Sequence, residues 1–173
     1  ARYEAAQRHM GTTFRIVLYA PNEVAANDAA EAAFHRIAAL DATLSDYQKH
    51  SELSRLSRTA GSGRSVPLGD DLWKVLDRAR AMNKASEGAF DVTIGPVVRL
   101  WRRARRQKQF PPADELAAAR QASGMKHLEL EDENKTARLL VPGMLLDLGG
   151  IAKGYAADEA LAVLNDHGIR RAL

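Results

Sequence analysis

The sequence predicts an α+β fold in which antiparallel strands are packed by helices. Three observations predict it. Apolar residues recur at helical spacing in several separate stretches. A strand pair with its own turn, Met125 to Glu131 and Thr136 to Val141 about Asp132-Glu133-Asn134-Lys135, lies between two of those stretches. A β-branched and aromatic run, Thr12 to Ala20, comes near the start. Helices and hairpin strands in this order favour α+β layering over a regular βαβ alternation.

Pro21-Asn22 breaks the first strand, and Asn22 is placed to cap the next helix. Ala26, Ala30, Ala33, Ile37, Leu40 and Leu44 then mark one helical face, with alanines that permit close packing. Ser45 to Arg58 is polar and irregular, with a short helix expected over Ser51 to Leu56 and capped by Ser51. Thr59 to Arg64 is a Gly/Ser loop, and Ser65 to Leu68 a brief extended piece. Asp70 opens a helix with Leu72, Val75, Leu76, Ala79 and Met82 inward, stopped by Gly88. Gly95-Pro96 starts another, because a proline in the first turn removes an amide that had no partner. Pro111-Pro112 ends that region, and Asp114 to Ser123 forms a short helix closed by Gly124. After the hairpin, Met144 to Leu146 is strand-like. The last helix covers about Lys153 to His167, with Ala156, Ala160, Leu161 and Leu164 inward. Gly168 ends it, and Ile169 to Leu173 reads as the start of a strand. Residues 1–173 are therefore expected to be the N-terminal portion of a single, longer domain.

Composition excludes several classes of protein. At 173 residues with 46% hydrophobic and 27% charged side chains, the chain can bury one substantial core. No apolar run approaches the roughly 20 residues of a membrane span. The net charge of +3 is too small to argue for nucleic acid. Without cysteine there is no disulfide, thiol catalysis or Cys-based metal site. The histidines, His9, His35, His50, His127 and His167, have no metal-ligand spacing, and no Ser-His-Asp set can be assembled.

Four stretches could carry chemistry. In Asp147-Leu148-Gly149-Gly150-Ile151-Ala152-Lys153-Gly154, paired glycines let the backbone approach a ligand. The following helix directs free N–H groups and partial positive charge at the turn, and Lys153 adds a full charge. That suits a phosphate or diphosphate; the alternative is a tight strand-to-helix turn whose glycines serve packing. In Glu87 to Pro96, Phe90 could stack on an aromatic ligand and Asp91 accept its hydrogen bonds, or Phe90 is core and Asp91 caps a turn. In Ser45-Asp46-Tyr47, the tyrosine ring could pack on a ligand, while Glu52 and Arg55 stand at the spacing of a surface ion pair. The basic run Arg99, Arg102, Arg103, Arg105, Arg106 and Lys108 is a solvated helix or a docking surface for an acidic partner; a nucleic-acid interface is the third option.

Together these blocks resemble the ApbE family, the FAD:protein FMN transferases, whose fold is related to the T-fold. The matching pieces are Met10-Gly11-Thr12-Thr13, then Ser45-Asp46-Tyr47 with Ser51 to Leu56, then Gly88 to Pro96 with Leu100-Trp101, and Asp147 to Gly154 running into Tyr155-Ala156-Ala157-Asp158. The resemblance implies an exported bacterial enzyme of the periplasm or cell envelope, often a membrane-associated lipoprotein whose precursor carries a lipid anchor. Such enzymes use FAD as substrate with Mg²⁺. They transfer FMN to a threonine of a target flavoprotein subunit of a bacterial redox complex, releasing AMP. It also implies FAD contacts at Met10, Tyr47, Ala89, Phe90, Asp91, Asp147 and Lys153, and a metal-ligating carbonyl at Gly150. Family members continue into a second half whose aspartate and threonine side chains complete the metal site. No general base is identified. The alternatives are an FAD pyrophosphatase of the same family or a non-catalytic flavin-binding domain. Nucleic acid is not an expected partner.

Overall fold

The computed structural model describes residues 1–173, which divide into two compact units. The first comprises Ala1–Thr43 with Ile151–Leu173, and the second Leu44–Gly150.

In the first unit, β1 (Arg2–His9) and β2 (Thr12–Tyr19) form an antiparallel hairpin with register from Arg2 opposite Tyr19 to His9 opposite Thr12. Its two-residue turn is Met10-Gly11, both at positive φ (50° and 71°), the geometry whose twist matches that of the flanking strands. The expectation for β2 holds, while β1 has no counterpart in the sequence reading. The C-terminal segment pairs along β2: Val17 N–H donates to Leu173 O at 2.7 Å, and Leu173 N–H returns to Val17 O at 2.8 Å. Helices α1 (Glu23–Leu44) and α6 (Ala152–Asp166) cover one face. Ile16 and Leu18 pack there with Ala26, Ala30, Ala33, Phe34 and Ile37 of α1 and Ala160 and Leu164 of α6. Asn22 caps α1, accepting from Ala25 N–H at 2.9 Å, and Arg36 bridges to Glu159 across the helices. Leu161 departs from expectation: it is 45% exposed. Ala156, Ala160 and Leu164 define the buried row, and a residue one step from Ala160 lies about 100° around the helix from it.

In the second unit, α2 (Glu52–Ser57) starts at Ser51, whose hydroxyl accepts from Ser54 N–H at 3.0 Å, as expected. A three-stranded antiparallel sheet runs β3 (Val66–Pro67), β5 (Thr136–Leu139), β4 (Leu128–Glu131). The expected hairpin forms but is shorter. Met125–His127 is a 3₁₀ turn after Gly124 at φ 123°, and the ladder stops at Leu139, short of Val141. Helix α3 (Asp70–Ala85) buries Leu72, Val75, Leu76 and Ala79. Helix α4 (Gly95–Gln107) has its proline in the first turn and ends at Lys108 in the left-handed region, φ 53°. It packs on α5 (Ala113–Gln121). Glu52 and Arg55 do not pair. Glu52 accepts from Gly69 N–H at 2.7 Å, before α3, and Arg55 donates to His50 O at 2.6 Å. A free backbone amide and a free carbonyl within reach outcompete a solvated ion pair.

Candidate functional site

The second unit gathers Tyr47, Ala89, Phe90, Asp91, Asp147 and Gly150. Met10 and Lys153 belong to the first.

The segment Met144 to Leu148 enters the second unit's interior beside the start of α4. Ile94 and Leu145 form a parallel bridge, and Asp147 N–H donates to Val92 O at 2.8 Å. This fixes the Asp147 carboxylate, whose side chain is 11% exposed. One of its oxygens accepts from Gly149 N–H at 2.8 Å; the other accepts from Arg102 Nη2 at 2.8 Å. Arg102 also pairs with Asp46, and its guanidinium lies over the Tyr47 ring, 4.6 Å from the centroid. Burial disfavours the Arg102 charge, but the hydrogen bond to Asp46 and the charges of Asp46 and Asp147 outweigh it and raise its pKa. One guanidinium thus ties two of the expected ligand contacts, Tyr47 and Asp147, into a single network. Sequence reasoning left Arg102 in an undifferentiated basic run, because its partners lie 45 and 56 positions away along the chain.

Phe90 and Asp91 are held from the α3 end. Phe90 N–H donates to Ser86 Oγ at 2.9 Å, and Asn83 Nδ2 donates to Phe90 O at 2.7 Å. Asp91 Oδ1 accepts from Thr93 N–H and Thr93 Oγ1, at 2.7 and 2.6 Å, so this oxygen caps a turn. Thr93 is fully buried and its hydroxyl accepts from Gly124 N–H at 2.6 Å. Ala89 is exposed at the tip of the loop. The ring of Phe90 faces Gly150: a Cβ there would lie 3.1 Å from Phe90 Cε2, and one at Gly149 would lie 2.9 Å from Asp147 Oδ1. The glycine pair is exposed and leaves bare backbone between an aromatic ring and a carboxylate.

Beside Tyr47 opens a cavity of about 590 Å³. Its wall includes Lys49, Arg58, Arg99 and Arg106, with Ser54 and Leu145 below. Arg99 and Arg106 have no acidic partner, so the cavity is electropositive. Its volume is in the range of small-molecule and cofactor sites.

In the first unit, Met10 N–H donates to Asp41 Oδ2 at 2.9 Å, which pins the hairpin turn to α1. Lys153 is exposed in the first turn of α6. No cluster of three or more His, Asp or Glu is arranged to hold a metal ion.

The α+β fold, the glycine turn beside an aromatic ring and the cationic cavity define the structural class of the chain. Comparison with known proteins narrows the class. The ApbE family model matches residues 10–173, and the chain belongs to the ApbE family. It is 33% identical over 158 residues to the FAD:protein FMN transferase of Haemophilus influenzae, covering 87% of this chain and 45% of that protein. With the Vibrio cholerae enzyme of the same name it shares 32% over 163 residues, 92% of this chain and 48% of that one. The solved structure of the flavin transferase ApbE from Vibrio cholerae superposes with a TM-score of 0.86 at 27% identity, over 99% of this chain and 56% of that one. The ApbE protein of Thermotoga maritima gives 0.86 at 25%, over 96% and 53%. The chain spans about half the length of the curated relatives it matches.

Proposed function

We propose that this chain is the flavin-holding part of an FAD:protein FMN transferase. The observation that carries the proposal is the Asp147 network. Asp147 is locked to Val92 through its backbone and to Arg102 through its side chain, Arg102 in turn lies over Tyr47, and the bare Gly149-Gly150 turn follows directly against Phe90. A planar ring system with a diphosphate matches these parts. Tyr47 and Phe90 offer ring faces, the glycine turn admits a close approach that side chains would block, and the cationic cavity matches the ligand's charge. Lys153 follows that turn in sequence, at a position where the family resemblance implies an FAD contact.

In the reaction this implies, an acceptor threonine hydroxyl attacks the FMN-side phosphorus of FAD. A phosphoester bond forms, the bond to the AMP phosphate breaks, and the hydroxyl proton passes to a base not assigned to this chain. The residues here bind and orient FAD and offset phosphate charge. Toward Mg²⁺ they offer only the Gly150 carbonyl. An octahedral ion needs several oxygens, including carboxylates or phosphates, so these residues alone do not fit the metal and no step is derived through it. The family resemblance further supports a flavoprotein subunit of a bacterial redox complex as acceptor, and export to the cell envelope.

FAD affinity of the purified protein, read by quenching of flavin fluorescence, tests the reading. Lys153→Ala should weaken binding about tenfold, roughly the loss of one charged contact to phosphate. Arg103→Ala should leave binding unchanged, because Arg103 is committed to Glu115. Equal effects from the two substitutions would refute the assigned site.

A further inference from the structure

The cations of α4 do not act as one patch. At about 100° per residue they fall into rows. Arg99, Arg102 and Arg106 face the cavity beside Tyr47, and Arg103 meets Glu115. Trp101, Arg105 and Lys108, at i, i+4 and i+7, form a separate row that neither role uses.

That row is built into a groove. Lys108 ends α4 in the left-handed region, a conformation that costs a non-glycine residue about 1 kcal/mol. The turn is closed by Gln109 N–H donating to Ala104 O at 3.1 Å. It brings Phe110 back against Trp101, edge to face, with ring centroids 6.0 Å apart. Between the rings and the stems of Arg105, Lys108 and Gln109 lies a groove of about 260 Å³ floored by Ala104. Phe110 is 83% exposed and Trp101 45%. Neither Arg105 nor Lys108 has an acidic partner, whereas Arg102 and Arg103, on the same helix, both do. A strained helix end thus holds two aromatic rings open to water between two unneutralised cations.

We propose that this groove docks an acidic peptide segment of a partner protein. An apolar side chain of that segment lies in the groove over Ala104, against the Trp101–Phe110 pair, and flanking carboxylates pair with Arg105 and Lys108. Charge complementarity selects the acidic partner. The concave groove beside the ring pair favours an inserted side chain over a lipid surface, and aromatic and arginine residues are the side chains that carry binding energy at interfaces. The site is separate from the glycine turn and does not depend on the flavin reading.

The test is fluorescence anisotropy with a labelled short peptide that alternates glutamate with leucine and phenylalanine. Its glutamine-substituted counterpart, phosphatidylserine vesicles and a single-stranded oligonucleotide serve as competing probes. The acidic peptide should bind, weaken as salt rises, and lose about tenfold or more in affinity with either Phe110→Ser or the double change Arg105→Glu, Lys108→Glu. Phe110 is almost fully solvated, so its replacement leaves the fold intact, and an unchanged circular dichroism melt checks this. The proposal is overturned if peptide affinity ignores both variants or if the glutamine peptide binds equally well. It is overturned equally if vesicles or the oligonucleotide bind this row more tightly, or if Phe110→Ser instead abolishes self-association of the protein.

Discussion

Gly95 and Gly154 both occupy α-helices, and replacing each with alanine should have opposite consequences. On helix propensity alone both changes should stabilise by roughly 0.5–1 kcal/mol. At Gly154 nothing lies within 4 Å of the added Cβ, so that gain should appear, at the low end because the position is in the first turn of α6. At Gly95 the new carbon would sit 2.4 Å from Leu145 O and 2.8 Å from Leu145 Cβ. The obstacle is mainly backbone, which cannot rotate away. Relief requires a shift of most of an ångström between the start of α4 and the Met144 to Leu148 segment. That shift pulls on the Ile94–Leu145 bridge and on the 2.8 Å bond from Asp147 N–H to Val92 O. Overpacking of this kind costs about 1–3 kcal/mol, and a stretched buried hydrogen bond adds to it. The net for Gly95→Ala is a loss of about 2 kcal/mol after the propensity gain is subtracted. Urea denaturation with an unchanged m-value reads it directly. FAD affinity should fall as well, since the displaced segment carries Asp147. Gly95→Ala at wild-type stability would show that the segment and the helix are not in contact as described, and the Asp147 network would lose its foundation.

Thr93→Val keeps the volume of a fully buried side chain but removes the acceptor for Gly124 N–H and the donor to Asp91. It should cost about 1–3 kcal/mol by thermal or urea unfolding, and a loss under about 0.5 kcal/mol would refute the buried-partner argument. The exposed Asp70 carboxyl is held below its ordinary range by the hydrogen bond and charge of Lys135. A carboxyl depressed by folding contributes stability above its unfolded pKa and loses it as pH falls through the folded one. Lys135→Met should therefore move the Asp70 titration, followed by NMR, upward; no movement would mean the pair is not formed in solution.

Much of this fold was legible because its signals are local. The Ser51 cap, the Asn22 cap, and the proline opening α4 are decided within one helical turn, and each forms as expected. Strand β1 was not legible: Arg2–His9 is mostly polar, with Tyr3 and Ala5 reaching the core's margin, and its partner supplies the ordering. Gly11 before a strand was the available clue; Met10 also takes positive φ, but methionine is not a residue type that signals it. Leu161 illustrates a different failure. Apolar content suggested an inward residue, but the phase set by Ala156, Ala160 and Leu164 excludes it. At the site, the spacing of Tyr47, Phe90 and Asp147 says nothing of their assembly. For Tyr47 and Asp147 that depends on Arg102, whose role is fixed by two carboxylates distant in sequence, and for Phe90 on Ser86 and Asn83 at the end of α3.

Helix α4 shows why such a basic sequence can fold at all. Like charges four residues apart repel on a helix, and Arg99 with Arg103 and Arg102 with Arg106 are two such pairs. The fold neutralises one member of each: Arg103 through Glu115, and Arg102 through Asp46 and Asp147. Arg99 and Arg106 are left facing the cavity, and Arg105 and Lys108 the aromatic groove. The residual repulsion is therefore not spread over the surface but concentrated at two concave places. An anion bound at either place removes it, and any ligand that binds the folded chain alone stabilises that chain in proportion to its occupancy. A flavin phosphate in the cavity and a carboxylate in the groove would thus act on the same thirteen-residue helix, which joins the cavity proposed to meet the flavin to the surface proposed to hold a protein.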